Sequence, residues 1–525
     1  MKENQKNMRG NLFGVLTPVF WIALVLTLII VAGALLFPEA FQQATFNIRT
    51  FIGQNFAWYY LLLSTLLVLV CIFLIFSPIG KIKLGDPDSK PEHSTFSWFA
   101  MLFSAGMGIG LVFYGAAEPL SHFAVSAPEA EIFSREALRD ALKYSFFHYG
   151  IHAWAIYALV ALALSYFQFR KQEKTLISIT LKPILKNKVS GIWGMVVDAL
   201  TIFATVVGVA TTLGFGAAQI NGGLHELFDV PNGYRVQLII IIVATCLFIW
   251  SAMSGVGKGV KILSDLNIVL ALLLMGLAFL VGPKTEILNV AVHTLGEYAQ
   301  DFFHLSLRTA PVNQNAQEWI QNWTIFYWSW WISWSPFVGV FIARISKGRS
   351  IREFLTCVLF IPSAFSFLWF SVFGVMSTRV VYEHPELAEK PYESMLFGVF
   401  QEYPLTMVLS VIAIILVFSF FITSADSATY VLAMQSENGS LNPHNKVKLV
   451  WGVLLAVIAS VLMLRGGLDG LQNVLIIVAL PFSIVLILLV VSVIVELNYE
   501  KNQMGLSIKP ERFPEENEPF RSYEE

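Results

Sequence analysis

Runs of apolar residues long enough to cross a bilayer recur along this whole chain, and no other feature limits its fold as tightly. A spanning helix needs about 20 such residues. Within lipid, every backbone N–H and C=O must find a partner, which leaves helices or closed barrels. Runs of this length point to helices. Twelve of them are bounded by charge, Pro or Gly, at 12–36, 56–78, 95–115, 141–168, 193–218, 236–254, 263–282, 319–343, 354–377, 405–436, 449–464 and 472–497. The third and eighth are interrupted by Gly, Ser and Trp. Two further stretches look helical but too polar to span. One, 286–307, is amphipathic enough to lie along a membrane surface; the other is near 392–402. The expected fold is an all-α polytopic membrane protein with twelve transmembrane helices.

Composition agrees. Only 13% of the 525 residues are charged and the mean hydropathy is +0.66, whereas a soluble surface needs roughly twice that charge. Disorder and a soluble multidomain enzyme are excluded. A net charge of −2 gives no global field for nucleic acid. Cys71, Cys246 and Cys357 fall inside apolar runs and suggest packing, not a disulfide framework or metal cluster. The first run is longer than a signal-peptide core and lacks a small-residue cleavage site, so it reads as a membrane helix.

Positive charge marks the cytoplasmic side of a membrane. With the N-terminus in the cytoplasm, the alternate loops and both termini on that side hold 24 of the 34 Lys and Arg residues. Both termini are therefore expected inside. The stretch 498–525, with seven Glu against four Lys or Arg, reads as an acidic, solvated cytoplasmic tail.

Six of the fourteen tryptophans lie within sixteen residues: Trp319, Trp323, Trp328, Trp330, Trp331 and Trp334. A membrane-edge belt accounts for Trp319 and Trp323 but not for Trp330, Trp331 and Trp334, which share one helix face inside the span. That face is either bundle core or an aromatic cage, whose ring faces attract a cation without placing a carboxylate in the bilayer. In the fourth span Trp154 and Tyr157 share a face, with Tyr149 on the preceding turns. The third span carries Ser104-Ala-Gly-Met-Gly-Ile-Gly110. Alternate glycines permit close helix packing, or an unwound stretch whose amides meet a carboxylate. In the tenth span Thr423 and Ser424 offer hydroxyl oxygens, either bonded back to their own helix or ligating a small hard cation. Asp426 and Asp198 read as structural pairing or as part of a water path. No enzyme constellation is present: His148 and His152 are four apart, without HExxH or a third ligand.

The segment Trp323 to Phe354 (WTIFYWSWWISWSPFVGVFIARISKGRSIREF), with GMGIG at Gly106 to Gly110, YGAAEPLSHF after it, and ITSADSAT in the tenth span, resembles the betaine/carnitine/choline transporter family in order and spacing. The resemblance covers nearly the whole chain. It implies a five-plus-five inverted-repeat (LeuT-like) core. The divisions are a cytoplasmic N-terminus at 1–11, two extra helices at 12–94, repeats at 95–282 and 319–497, a surface helix and loop at 283–318, and the tail at 498–525. It implies a homotrimer in a bacterial plasma membrane that carries a trimethylammonium solute. The substrate box is then Tyr149, Trp154, Tyr157, Trp330, Trp331 and Trp334, with Gly106, Met107, Gly108 and Gly110 beneath it. Similar betaine carriers often have Trp in place of Tyr149. Trp323 and Trp328 are expected on the access path. For sodium the resemblance implies Ser104, Met107, Phe420, Thr423 and Ser424, with a second ion near Thr201, Thr205 and Phe337. Proton-coupled choline carriers tend to have Asp at the position of Gly110, so Gly110 favours sodium and glycine betaine. The rivals are a sodium-independent exchanger or proton-coupled carrier of carnitine or choline, and, from another class, an aromatic-gated ion channel.

Overall fold

The computed structural model describes residues 16–106, 108–254 and 257–506. Helices α1 (Pro18–Leu36) and α2 (Pro38–Phe76) lead into a broken pair, α3 (Thr95–Gly106) and α4 (Ile109–Ala124). A second interrupted pair follows, α5 (Arg135–Tyr149) and α6 (Ile151–Ser165), and then α7 (Ile192–Phe228), α8 (Tyr234–Ser254) and α9 (Gly257–Val281). The polar segment gives α10 (Lys284–Gln300), and the remaining long helices are α11 (Thr324–Ile345), α12 (Ile351–Glu383), α13 (Thr406–Ser436) and α14 (Asn445–Gln503).

Among the described residues nine helices are long and apolar enough to cross a membrane. The difference from twelve has local causes. The third run is two shorter helices, because Gly108 takes an extended backbone (φ −150°, ψ 179°). The eighth, α11, is one 22-residue helix, but its Trp and Ser residues lower its hydropathy. The eleventh and twelfth runs lie on either side of Gly467 in α14, the one non-helical residue inside that helix (φ 57°, ψ −144°). A left-handed φ is readily adopted only by glycine.

Helix α11 sits at the centre, with nearly every side chain from Thr324 to Ala343 buried. Apolar side chains such as Ile29, Trp250, Ile262 and Val269 face outward on α1, α8 and α9, as a lipid solvent allows. Helix α10 is held to the bundle by ion pairs from Lys143 to Asp301 (3.0 Å), just after its last turn, and from Arg379 to Glu286 (3.1 Å), with Arg139 on Glu297. The short helix Tyr392–Gln401 occupies the second polar stretch. At the end of the bundle away from Trp323, the loops after α2 and α11 pair by backbone hydrogen bonds, Leu84 N–H to Arg349 O (2.8 Å) and Gly348 N–H to Leu84 O (2.7 Å). The Arg349 guanidinium lies 4.3 Å from the Trp98 ring there.

Candidate functional site: an aromatic cavity at a broken helix

Two helix interruptions face each other in the middle of the bundle. Gly150 separates α5 from α6, and the last carbonyls of a helix have no partner within it. The His148 carbonyl instead accepts the Trp331 indole N–H at 2.9 Å. This bond fixes α11 against α5 and presents the Trp331 ring to the space beside Gly150. Across that space α4 begins at Ile109; among its first amides the Leu111 N–H is taken by the Gly108 carbonyl (3.2 Å), and those before it have no partner within the helix.

The space between the two interruptions holds about 450 Å³ counting its open side, and is tight enough that the centre of a water-sized sphere has only about 30 Å³ to occupy. Its walls include Tyr149, Trp154, Tyr157, Trp330, Trp331 and Trp334, with Gly108 and Gly110 on the α4 side. The structure thus brings together the six aromatic residues expected in the box and both of these glycines. Trp330 and Trp331 lie nearly parallel, 5.2 Å apart with a 10° interplanar angle. Tyr149 and Tyr157 present their rings edge-on to Trp331 at 5.2 and 6.1 Å, and Trp154 meets Tyr157 at 5.5 Å. Among the described residues no charged side chain lines this space. The Tyr149 hydroxyl donates to the Gly110 carbonyl (3.0 Å), so a Tyr here joins the box to the start of α4. A methyl group on Gly110 would come within 2.9 Å of the Trp330 ring; close approach of these elements requires glycine there.

Ser366 of α12, Leu111 and Ala153 also line the cavity. No sequence signal marked them, since one Ser in an apolar helix has the same spacing whether it faces a ligand or a neighbouring helix. Among the described residues the Trp334 indole N–H and the Tyr157 hydroxyl are buried with no hydrogen-bond partner, two donors at the cavity wall.

Toward the Trp323 end lies a second, wider space of about 1560 Å³ including its open mouth, floored by Tyr114, Trp323 and Phe326 and rimmed by Arg49 and Asp469. Tyr114 reaches Trp323 (6.0 Å) on one side and Trp330 (6.2 Å) on the other, so an aromatic layer separates the two spaces. Trp328 is not in this region. It stacks on His152 at 5.6 Å (18°) and is fully buried, being about 60° further round α11 than Trp331. Trp328, expected on the access path, is not among the residues that line this space.

The sodium residues are placed as follows. Thr423 is buried on α13, where its hydroxyl donates back to the Ser419 carbonyl (3.1 Å) and accepts from Asn267 Nδ2 (3.2 Å). Phe420 is buried one turn earlier and Ser424 is half-buried. Met107 and the side chain of Ser104 lie outside the described residues, and nothing beyond its place at the end of α3 is described for Gly106. Thr201 and Thr205 are buried on α7, each bonded back to its own helix at 2.8 Å. They lie about one and two turns before Gly208, which packs against Ser333 and Trp334. Phe337 meets Trp334 edge-on at 5.6 Å. A hydroxyl that donates to its own helix keeps lone pairs for a cation, so these groups suit oxygen ligation. Asp198 accepts both the Ser178 amide (2.9 Å) and hydroxyl (2.6 Å), and Asp426 accepts from the Ser251 hydroxyl (2.6 Å). Both carboxylates are paired.

Comparison with known proteins agrees with this architecture. The BCCT, betaine/carnitine/choline family transporter, pattern matches residues 18–502. The chain is 54% identical over 490 residues to the glycine betaine transporter OpuD of Bacillus subtilis, covering 93% of this chain and 96% of that protein. It is 43% identical to an ectoine/hydroxyectoine transporter of Virgibacillus pantothenticus, over 90% and 95% of the two chains. It is 38% identical to an osmo-dependent choline transporter of Acinetobacter baylyi, over 92% and 71%. The chain is a multi-pass membrane protein and belongs to the betaine/carnitine/choline family of transporters.

Proposed function

We propose that this protein imports glycine betaine together with Na⁺ by alternating access, as an osmoprotectant carrier of a bacterial plasma membrane. The observation that carries the reading is the cavity wall: six aromatic side chains and no charged one among the described residues, set beside the start of a helix. A trimethylammonium group has no N–H to donate, so ring faces are its best partners, each worth about 0.5–2 kcal/mol depending on desolvation. A carboxylate is matched by the unpaired amides and positive dipole at the start of α4. One zwitterion meets both needs. The relatives named above include carriers of ectoines and of choline, so substrate choice rests on this geometry and on the 54% identity to a glycine betaine carrier.

The coupling ions sit, in this proposal, at Thr423 and Ser424 with the Phe420 carbonyl and the stretch from Ser104 to Met107, and near Thr201, Thr205 and Phe337. A zwitterion carries no net charge, so the membrane potential acts through sodium. Two ions crossing 100 mV release about 4.6 kcal/mol, enough for more than about a thousandfold accumulation. Twelve spans with both termini in the cytoplasm, a five-plus-five inverted repeat (95–282 and 319–497) and a homotrimer complete the proposal. It is tested by competition against labelled betaine uptake with dimethylglycine, sarcosine and glycine. Affinity should fall at each lost methyl group. Equal competition by glycine would remove the aromatic box as the recognition element.

A further inference from the structure

A second cluster of chemistry-bearing side chains lies just outside the cavity and takes no part in lining it. Glu118, His122 and His148 are fully buried, with ligand-capable atoms within 4.8 Å of one another. Glu118 is on α4, two turns beyond Gly110. Its Oε1 is hydrogen-bonded to His148 Nδ1 (2.7 Å) and His122 Nε2 (3.2 Å), and its Oε2 accepts the Tyr327 hydroxyl (2.5 Å). The other nitrogen of His148 pairs with the Thr324 hydroxyl (3.0 Å). One carboxylate therefore ties together α4, α5 and α11, the three helices that meet at the aromatic box.

A buried ionisable group in a membrane protein is costly and persists where it has work to do. Here both principal partners of Glu118 hold up the same wall. The Tyr327 ring stacks on Trp331 (5.7 Å, 21°) and on Trp330 (6.4 Å, 13°). His148 supplies the carbonyl that accepts the Trp331 indole N–H, and its chain neighbour is Tyr149. Stacked rings alone slide and tilt at small cost; a hydrogen bond at the far end of Tyr327 removes that freedom. Neither Glu118 nor Tyr327 lines the cavity.

We propose that Glu118 is a positioning residue for substrate recognition: through Tyr327 and His148 it sets the plane and position of Trp331, and so the affinity of the aromatic box. The inference rests on the proposed reading of that box. Its test is labelled betaine uptake in proteoliposomes by Y327F, E118Q, the double variant and W331L, with KM and Vmax per mole of inserted protein. Y327F keeps the ring and loses only the hydroxyl. Both single variants should raise KM about three- to tenfold, the scale of one lost buried hydrogen bond, with Vmax within about twofold. The double variant should be no worse than the more impaired single one, because both remove the same link. A purely structural brace would instead lower the amount of folded carrier and leave KM unchanged. If E118Q does not insert, Y327F alone decides. An impaired W331L beside an unchanged KM in Y327F overturns this inference alone. An unchanged W331L overturns the reading of the box, and this inference with it.

Discussion

Replacing Trp331 by Leu removes a ring that meets three others of the cavity wall, those of Tyr149, Tyr157 and Trp330. The indole stacks on Trp330, takes the edges of Tyr149 and Tyr157, and donates to the His148 carbonyl. Leu offers no ring face, so a desolvated cation–ring contact of about 2 kcal/mol is lost. That corresponds to about a thirtyfold rise in KM or Kd. The freed His148 carbonyl adds about 1 kcal/mol of destabilisation, which shows in unfolding temperature and not in affinity. Trp331→Phe keeps a ring face but loses the N–H that fixes it to His148, and should recover part of the affinity and none of that stability. The assay is initial-rate uptake across a range of betaine concentrations, with binding to the purified carrier measured alongside. Unchanged KM in both Trp331→Leu and Trp334→Leu would refute the aromatic recognition argument.

Three further outcomes follow from the geometry. Gly110→Ala places a methyl 2.9 Å from the Trp330 ring, whose N–H is tied to Thr212 (3.1 Å). It should cost about 1–3 kcal/mol, read as a higher KM for betaine. Thr423→Val should raise the Na⁺ concentration needed for half-maximal uptake at least several-fold, whereas Thr423→Ser should stay near wild type; equal Na⁺ dependence in both would move the ion elsewhere. At the opposite end from Trp323, Arg170→Ala breaks a largely buried pair with Glu500 (2.7 Å) and a bond to the Gly85 carbonyl (2.7 Å). Glu500 keeps Lys171 (3.4 Å) and the Tyr166 hydroxyl, so the loss should be about 1–3 kcal/mol, the scale of charge-assisted hydrogen bonds; the unfolding temperature should drop while the betaine KM of the surviving carrier stays unchanged.

The helices and the aromatic box were legible for different reasons. Long apolar runs are a one-dimensional signal, and α1 and α13 appear close to where hydropathy places them, whereas α2 begins well before its apolar run, at Pro38, and α7 continues past its own to Phe228. Trp330, Trp331 and Trp334 were legible because helical spacing puts them on one face and a membrane core gives few reasons for so many indoles. Trp328 belongs to the same cluster in sequence, yet its direction depends on which neighbour occupies the flank of α11, and here that is His152. The glycine stretch left packing and unwinding open until Gly108 was found extended beside the cavity. Glu118 and Tyr327 lie 209 positions apart, and no periodicity links them. Asn267, which reaches Thr423 from α9, was hidden in the same way.

The most direct test of the central claim is uptake of labelled glycine betaine into proteoliposomes, first with an imposed Na⁺ gradient and then with K⁺ in place of Na⁺. Concentrative, saturable uptake that requires Na⁺ is expected. Saturable uptake indifferent to Na⁺ would contradict the coupling and leave exchange or proton coupling as the function, and uptake that never saturates would contradict a carrier altogether.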